Sequence, residues 1–314
     1  MSILRNKKID AVFWSLAGLF DSGTYLYYMR INKIKVVECP RDAMQGWKTL
    51  IPTQQKIKYL NALLKVGFDT LDCGSFVSPK AIPQMADTKE VLHQLNVADS
   101  ETKLLVIIAN TRGAKEAVQF DNIHSLGFPF SISETFQQRN TNSSIEQSLQ
   151  RLDEIQQLCF TNNKQLVVYL SMGFGNPYGD PYSDTILLQW AEEIVGRGIT
   201  KLSLADTVGL ATPEQINFAL QTLLPKYPHV EIGVHLHSSI NNWQAKFEAA
   251  LQAGCLRFDG AINGIGGCPM AGDELTGNMN TEWMLDYLQA HDYYLSIDKI
   301  ALSNAIELAQ DTFV

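Results

Sequence analysis

Val230-Glu231-Ile232-Gly233-Val234-His235-Leu236-His237 reads as an apolar strand that runs out into a pair of histidines. Alternation of period two puts both imidazoles on one face. Two neutral imidazoles projected from a rigid strand end can bind a divalent ion, provided that oxygen ligands arrive from elsewhere in the fold. A lone His-X-His is weak on its own, because histidines on a surface or in a core are the bland alternative. What decides its meaning is whether other strand ends converge on it.

From residue 34 onward, short β-rich runs alternate with longer amphipathic ones. Strands are predicted at 34–39, 68–73, 104–109, 127–132, 165–171, 200–205, 230–235 and 256–262, and helices near 53–66, 83–95, 112–120, 143–161, 183–197, 212–226, 240–253 and 280–290. Ser143 with Glu146 fits a capping box, as does Thr212 with Gln215, where Pro213 suits the first helical position. Eight βα units without a composition break predict one α/β domain, a single (β/α)8 TIM barrel over residues 29–314. Residues 1–28 then form a short N-terminal extension. Its basic start (Arg5, Lys7, Lys8) and apolar run superficially resemble a signal peptide, but Asp10 interrupts the approach to the run and no A-x-A site follows, and Asp10 and Asp21 argue against an acid-poor mitochondrial transit peptide.

The 314 residues are 46% apolar and 18% charged, and no segment approaches the roughly 18 apolar residues that span a bilayer. A net charge of -8 disfavours nonspecific nucleic-acid binding. Five cysteines, at 39, 73, 159, 255 and 268, show no CxxC pairing, and their odd number does not suit a disulfide framework. A reducing cytoplasm and small-molecule chemistry are expected, with no nucleic-acid or membrane partner.

Chemistry in such a barrel sits at the carboxyl ends of the strands. There the sequence offers Arg41-Asp42, Asp72 with Ser75, Asn110, Ser133-Glu134, Asp206, the histidine pair, and Asn263 before Gly264-Ile265-Gly266-Gly267-Cys268. Any one of these is commonly structural, but joint convergence on two histidines is harder to dismiss. Asp42 can supply a carboxylate oxygen and Asn278 an amide oxygen to His235 and His237, a mixed shell that suits Mg2+, Mn2+, Co2+ or Zn2+. Arg41 beside it suits a thioester carbonyl or enolate oxygen, with an ion pair to Asp72 or Asp206 as the plain alternative.

These segments resemble the hydroxymethylglutaryl-CoA lyases of the DRE-TIM metallolyase group. Val37-Glu38-Cys39-Pro40-Arg41-Asp42-Ala43-Met44-Gln45 is similar to that family's P-R-D-G-L-Q segment. Ser75-Phe-Val-Ser-Pro-Lys80 with Pro83-Gln-Met85, Ser133-Glu-Thr-Phe136 with Asn142-Ser-Ser-Ile-Glu146, Leu204-Ala-Asp-Thr-Val-Gly209, His235-Leu-His237, Gly266-Gly-Cys-Pro269 and Gly277-Asn278 follow in the same order. The resemblance covers roughly residues 34–290. It implies a metal-dependent carbon–carbon lyase that cleaves 3-hydroxy-3-methylglutaryl-CoA to acetyl-CoA and acetoacetate by a retro-Claisen reaction, with an acyl-CoA substrate, a divalent cation (Mg2+ or Mn2+ foremost) and a homodimeric state.

Carried over residue by residue, the resemblance assigns the metal ligands to Asp42, His235, His237 and Asn278. Its electrophilic arginine becomes Arg41, its loop cysteine Cys268, and its functional acids Asp72, Asp206 and Glu282. Departures are Asp72 in place of Glu, Ala43 in place of Gly, Ser238 in place of Asp, and a Cys268-to-Asn278 spacing one residue long. The other four cysteines are read as packing residues. Ser75, Lys80, Arg139 and Asn140 are expected in loops on the catalytic face near the CoA, without firm roles. A related Claisen-type condensing enzyme or aldolase is the competing enzymatic reading, and a catalytically silent barrel that binds CoA esters is the non-enzymatic one.

Overall fold

Strands inside a parallel barrel meet side chains on both faces, so they are apolar almost throughout. The computed structural model describes residues 33–267 and 276–314, and the chain divides into two units, Met1–Ile34 and Lys35–Val314. In the second unit the strands are β1 (Lys35–Glu38), β2 (Thr70–Phe76), β3 (Lys103–Ile108), β4 (Ile123–Ser131), β5 (Gln165–Ser171), β6 (Lys201–Asp206), β7 (Glu231–Leu236) and β8 (Arg257–Gly260). They pair in sequence order, all parallel, and β8 closes on β1 from Lys35↔Arg257 to Glu38↔Gly260. The closed (β/α)8 barrel expected from the alternation is therefore present, with Leu105, Val167 and Tyr169 forming a packed cluster against Ile107.

The helices are α1 (Pro40–Gln45), α2 (Thr53–Leu63), α3 (Thr88–His93), α4 (Thr111–Ala117), α5 (Glu134–Thr141), α6 (Ile145–Thr161), α7 (Asp184–Gly196), α8 (Pro213–Lys226), α9 (Trp243–Gln252), α10 (Thr281–Ala290) and α11 (Lys299–Thr312). Several differ from expectation for local reasons. Arg41 and Asp42 sit on the short helix α1, opened by Pro40 at its first turn, rather than on a loop. The helix expected over 83–95 divides into a 3-10 turn at Pro83–Met85 and α3, because the Gln84 side chain turns inward to bond the carbonyls of Trp47 and Thr49 and the Ile51 N–H.

The capping box before α6 is built by Ser144 and Gln147, not by Ser143 and Glu146. Ser143 is buried, its hydroxyl 2.9 Å from that of Ser148, so the next serine is the one left to meet the free N–H groups. The box of Thr212 and Gln215 with Pro213 at the start of α8 is as expected. Helices α5 and α11 were not foreseen; α5 is capped by Ser133 and closed by Asn142 in the left-handed region at φ 49°. Ser75 lies inside β2 and is buried, and Arg139 and Asn140 lie on α5, so none of these three occupies a loop. Among the described residues no helix is long and apolar enough to cross a membrane.

Candidate metal centre

His235 near the end of β7 and His237 just past it present their imidazoles 5.3 Å apart, centroid to centroid, at an interplanar angle of 60°. Proline at the start of α1 turns the chain over the mouth of the barrel as soon as β1 ends, which swings Asp42 to the same place. Ligand atoms of Asp42, His235 and His237 lie within 4.8 Å of one another. Asn278 arrives from the other side through a bridge between its backbone and His237. Its amide nitrogen donates to Asp42 Oδ2 at 2.8 Å and to the Ile265 carbonyl at 2.9 Å, so the amide oxygen is the atom that could ligate. Gly266, at φ 114°, runs against this amide, where a Cβ would collide with Asn278 and the Ala43 backbone.

Arg41 lies between two carboxylates. Its Nε donates to Asp72 Oδ2 at 2.9 Å, its Nη2 closes an ion pair with the same carboxylate, and its Nη1 donates to Asp42 Oδ1 and Gln45 Oε1 at 2.9 Å each. Gln45 donates in turn to Asp42 Oδ1 at 2.8 Å. Burial works against the Asp42 carboxylate, but Arg41, the histidines and the Asn278 amide outweigh it and hold its pKa down at about 2. For Asp72 burial wins over the attraction of Arg41, and its pKa is pushed up to about 6. One carboxylate is thus fixed as an anion while its neighbour is poised near neutrality.

The histidines are held by different means. His235 Nδ1 lies 3.3 Å from Asp259 Oδ2, an interaction that raises its pKa in spite of burial. The His237 pKa is lowered to about 4 by burial and by the adjacent His235, and its ring bonds the Thr207 backbone. Neutral imidazole is the form that ligates a metal.

The other expected residues stand further off. Asp206 is buried and paired with Lys246 at 2.6 Å, and it also accepts from the Ala211 N–H at 3.0 Å. Lys246 donates to the His237 carbonyl at 2.9 Å, so Asp206 reaches the site through a lysine and a backbone. Glu282 accepts from the Asn263 N–H at 3.0 Å and braces the turn after β8. Cys268 falls outside the described residues. Cys39, Cys73, Cys159 and Cys255 are buried, with thiols pushed up in pKa by burial, as packing residues should be.

Sequence reading missed Gln45, Lys246 and Asp259. The signals existed: Lys246 interrupts the buried stripe of α9 that continues in Phe247 and Ala250, and Asp259 shares a face with Arg257 in a strand that should be apolar.

A family model described as HMGL-like matches residues 34–310, nearly the whole of this unit. The chain belongs to the HMGL-like family. A mitochondrial hydroxymethylglutaryl-CoA lyase of Rattus norvegicus is 34% identical over 280 residues, 88% of this chain and 85% of the relative. A hydroxymethylglutaryl-CoA lyase of Bacillus subtilis is 31% identical over 281 residues, 89% of this chain and 93% of the relative. Among solved structures, the Bacillus subtilis HMG-CoA lyase superposes with a TM-score of 0.84 at 29% identity over 90% of this chain and 94% of that one. An HMG-CoA lyase from A. baumannii, in complex with coenzyme A and 3-methylmalate, gives 0.83 at 29% identity over 90% and 92%. The HMGL-like match spans all seven segments that carry the resemblance in the sequence, from Val37 to Asn278.

Proposed function

We propose that this chain is a divalent-metal-dependent lyase that cleaves 3-hydroxy-3-methylglutaryl-CoA to acetyl-CoA and acetoacetate. The observation that carries the reading is the meeting of Asp42, His235 and His237 within 4.8 Å, with Arg41 bonded to the first of them. Asp42, both histidines and the Asn278 oxygen would hold the ion, and their mixed oxygen and nitrogen donors fit Mg2+ or Mn2+. When bound, such an ion supplies Lewis acidity that favours ionisation of the tertiary hydroxyl.

The chain's own groups divide the remaining work. Asp72, with a pKa near 6, is suited to accept the hydroxyl proton at neutral pH. As that proton leaves, the C2–C3 bond breaks, C3 becomes the ketone of acetoacetate, and the electron pair passes to the thioester as an enolate. Arg41 holds the enolate oxygen with the one Nη2 N–H that Asp72, Asp42 and Gln45 leave free, and a preorganised donor of this kind is worth about 3–4 kcal/mol in the transition state. Cys268 returns a proton to C2. Asp206 and Glu282 act at one remove, through Lys246 and the Asn263 backbone.

This lyase unit would comprise residues 29–314, work as a cytoplasmic homodimer, and leave residues 1–28 outside its chemistry. The deciding experiment incubates Mg2+- or Mn2+-loaded protein with 3-hydroxy-3-methylglutaryl-CoA and assays both products. Stoichiometric acetoacetate and acetyl-CoA support the reading; neither product with either ion overturns it. Cys268→Ser should lose at least about a hundredfold in rate while keeping metal binding, whereas a packing thiol would leave turnover near normal.

A further inference from the structure

Beneath the histidine pair the barrel is not filled by apolar side chains alone. Arg257 and Asp259 alternate along β8, and register pairs Asp259 with His235 on β7. Both are buried, 4% and 2% exposed. The Arg257 guanidinium lies 3.2 Å from Asp259 Oδ1 by Nη1 and 3.7 Å from Glu231 Oε1 by Nε. The other oxygen of Asp259, Oδ2, is the one beside His235 Nδ1. Tyr169 comes from the far side of the barrel, its ring 5.8 Å from that of His235.

Two features say that this layer is more than filler. Gly233 leaves the room that Arg257 uses: a Cβ there would stand 2.9 Å from both Cβ and Cγ of Arg257. Moreover Arg257 Nη1 and Asp259 Oδ1 meet only as an ion pair, without hydrogen-bond alignment. Burying such a pair gains little over an apolar layer of the same volume, which is often at least as stable. The arrangement is therefore expensive as packing.

We propose that Arg257 is a positioning residue for the candidate metal centre: by engaging Asp259 Oδ1 it turns Oδ2 toward His235 Nδ1, fixes the proton on that nitrogen, and leaves Nε2 as the donor beside Asp42 and His237. The inference rests on the reading of Asp42, His235 and His237 as a cation site. Carboxylates behind ligating histidines commonly act in this way, and losing one typically costs ten- to a hundredfold in metal affinity. Here the carboxylate is itself held by a cation from the same strand, and Glu231 holds that cation from behind.

The test uses the full chain, stripped of metal and titrated with Co2+, with affinity read by calorimetry and ligand geometry by the visible absorption of the bound ion. Arg257→Met should weaken binding by about ten- to a hundredfold and shift the absorption band, and Asp259→Asn should do the same. The double variant should be no worse than Asp259→Asn alone, since the two act in series. Should Arg257→Met fail to fold, Arg257→Lys decides: it keeps the charge but cannot bridge Asp259 and Glu231, so its affinity should fall between wild type and Asp259→Asn. Wild-type affinity and spectrum in the folded Arg257 variants, with melting temperature alone reduced, would overturn the proposal. Failure of the wild type itself to bind Co2+ would instead remove the cation site on which it stands.

Discussion

The two flanks of the histidine pair are built on different principles. Toward β8 and β1, His235 meets Asp259 and Asp42, and Asp42 is bonded in turn to Arg41 and Arg41 to Asp72 on β2, a run of charged side chains that lean on one another. Toward β6 and α9, His237 meets the Thr207 backbone, and its carbonyl is held by Lys246, which is neutralised by Asp206. Side-chain charges shape the first flank. Backbone and one enclosed ion pair shape the second, which is fixed by folding before any ligand arrives. One flank is thus held by side-chain charges and the other largely by backbone.

The largest effect should come from the supporting flank. Lys246→Met strips the buried Asp206 carboxylate of its partner and should cost about 3–5 kcal/mol of stability, read by denaturant unfolding. If Lys246→Met costs less than 1 kcal/mol, the β6 flank is not the locked one. Asp42→Asn acts on the other flank: it should lower metal affinity at least about a hundredfold and cost less stability than Lys246→Met, because the buried Arg41 loses one carboxylate but keeps Asp72. Loss of fold together with affinity would erase the distinction. Arg41→Lys should lower kcat by about a hundredfold with a much smaller change in KM, because lysine lacks the planar fork; a change confined to KM would make Arg41 a mere binding group.

A smaller, pH-dependent effect sharpens the contrast from outside both flanks. Glu38 is fully buried, accepting from the Ile262 N–H at 2.9 Å and the Thr281 hydroxyl at 2.6 Å. Burial nevertheless dominates and raises its pKa to about 8, against 4.5 for a free glutamate. The folded chain therefore binds this proton more tightly than the unfolded one does. Its contribution is full below about pH 4.5 and declines as pH rises toward 8. Glu38→Gln should flatten the stability profile over that window, and an unchanged slope would place the titrating group elsewhere. The smallest change is Ser144→Ala, expected to cost about 1 kcal/mol through loss of the cap on α6 and to leave both flanks untouched.

The chain's order of strands and helices was legible because burial on both faces demands apolar runs, and eight of them leave few ways to avoid closure. The meeting of Asp42 with the two histidines was legible for a related reason. His235 and His237 are two apart on a strand, and Asp42 lies just past the end of another, so position alone brings them to one mouth. Local choices between equivalent residues were not legible: Ser143 and Ser144 are both capable caps, and which of them turned inward depended on Ser148, a turn further along α6.

By itself the sequence determined the barrel and the end of it at which Asp42 and the two histidines meet, since periodicity and strand-end position are properties of the chain alone. Tertiary structure decided how those donors are charged and held. Asp42 and Asp72 are the same side chain on neighbouring elements, yet one has its pKa at about 2 and the other at about 6, because burial and Arg41 act on them in different proportion. Lys246, Arg257 and Asp259 enter the site from α9 and β8, and nothing short of folding tells which buried charge each will meet. Electrostatic energy depends on distance and on the surrounding medium, and only the closed barrel supplies both.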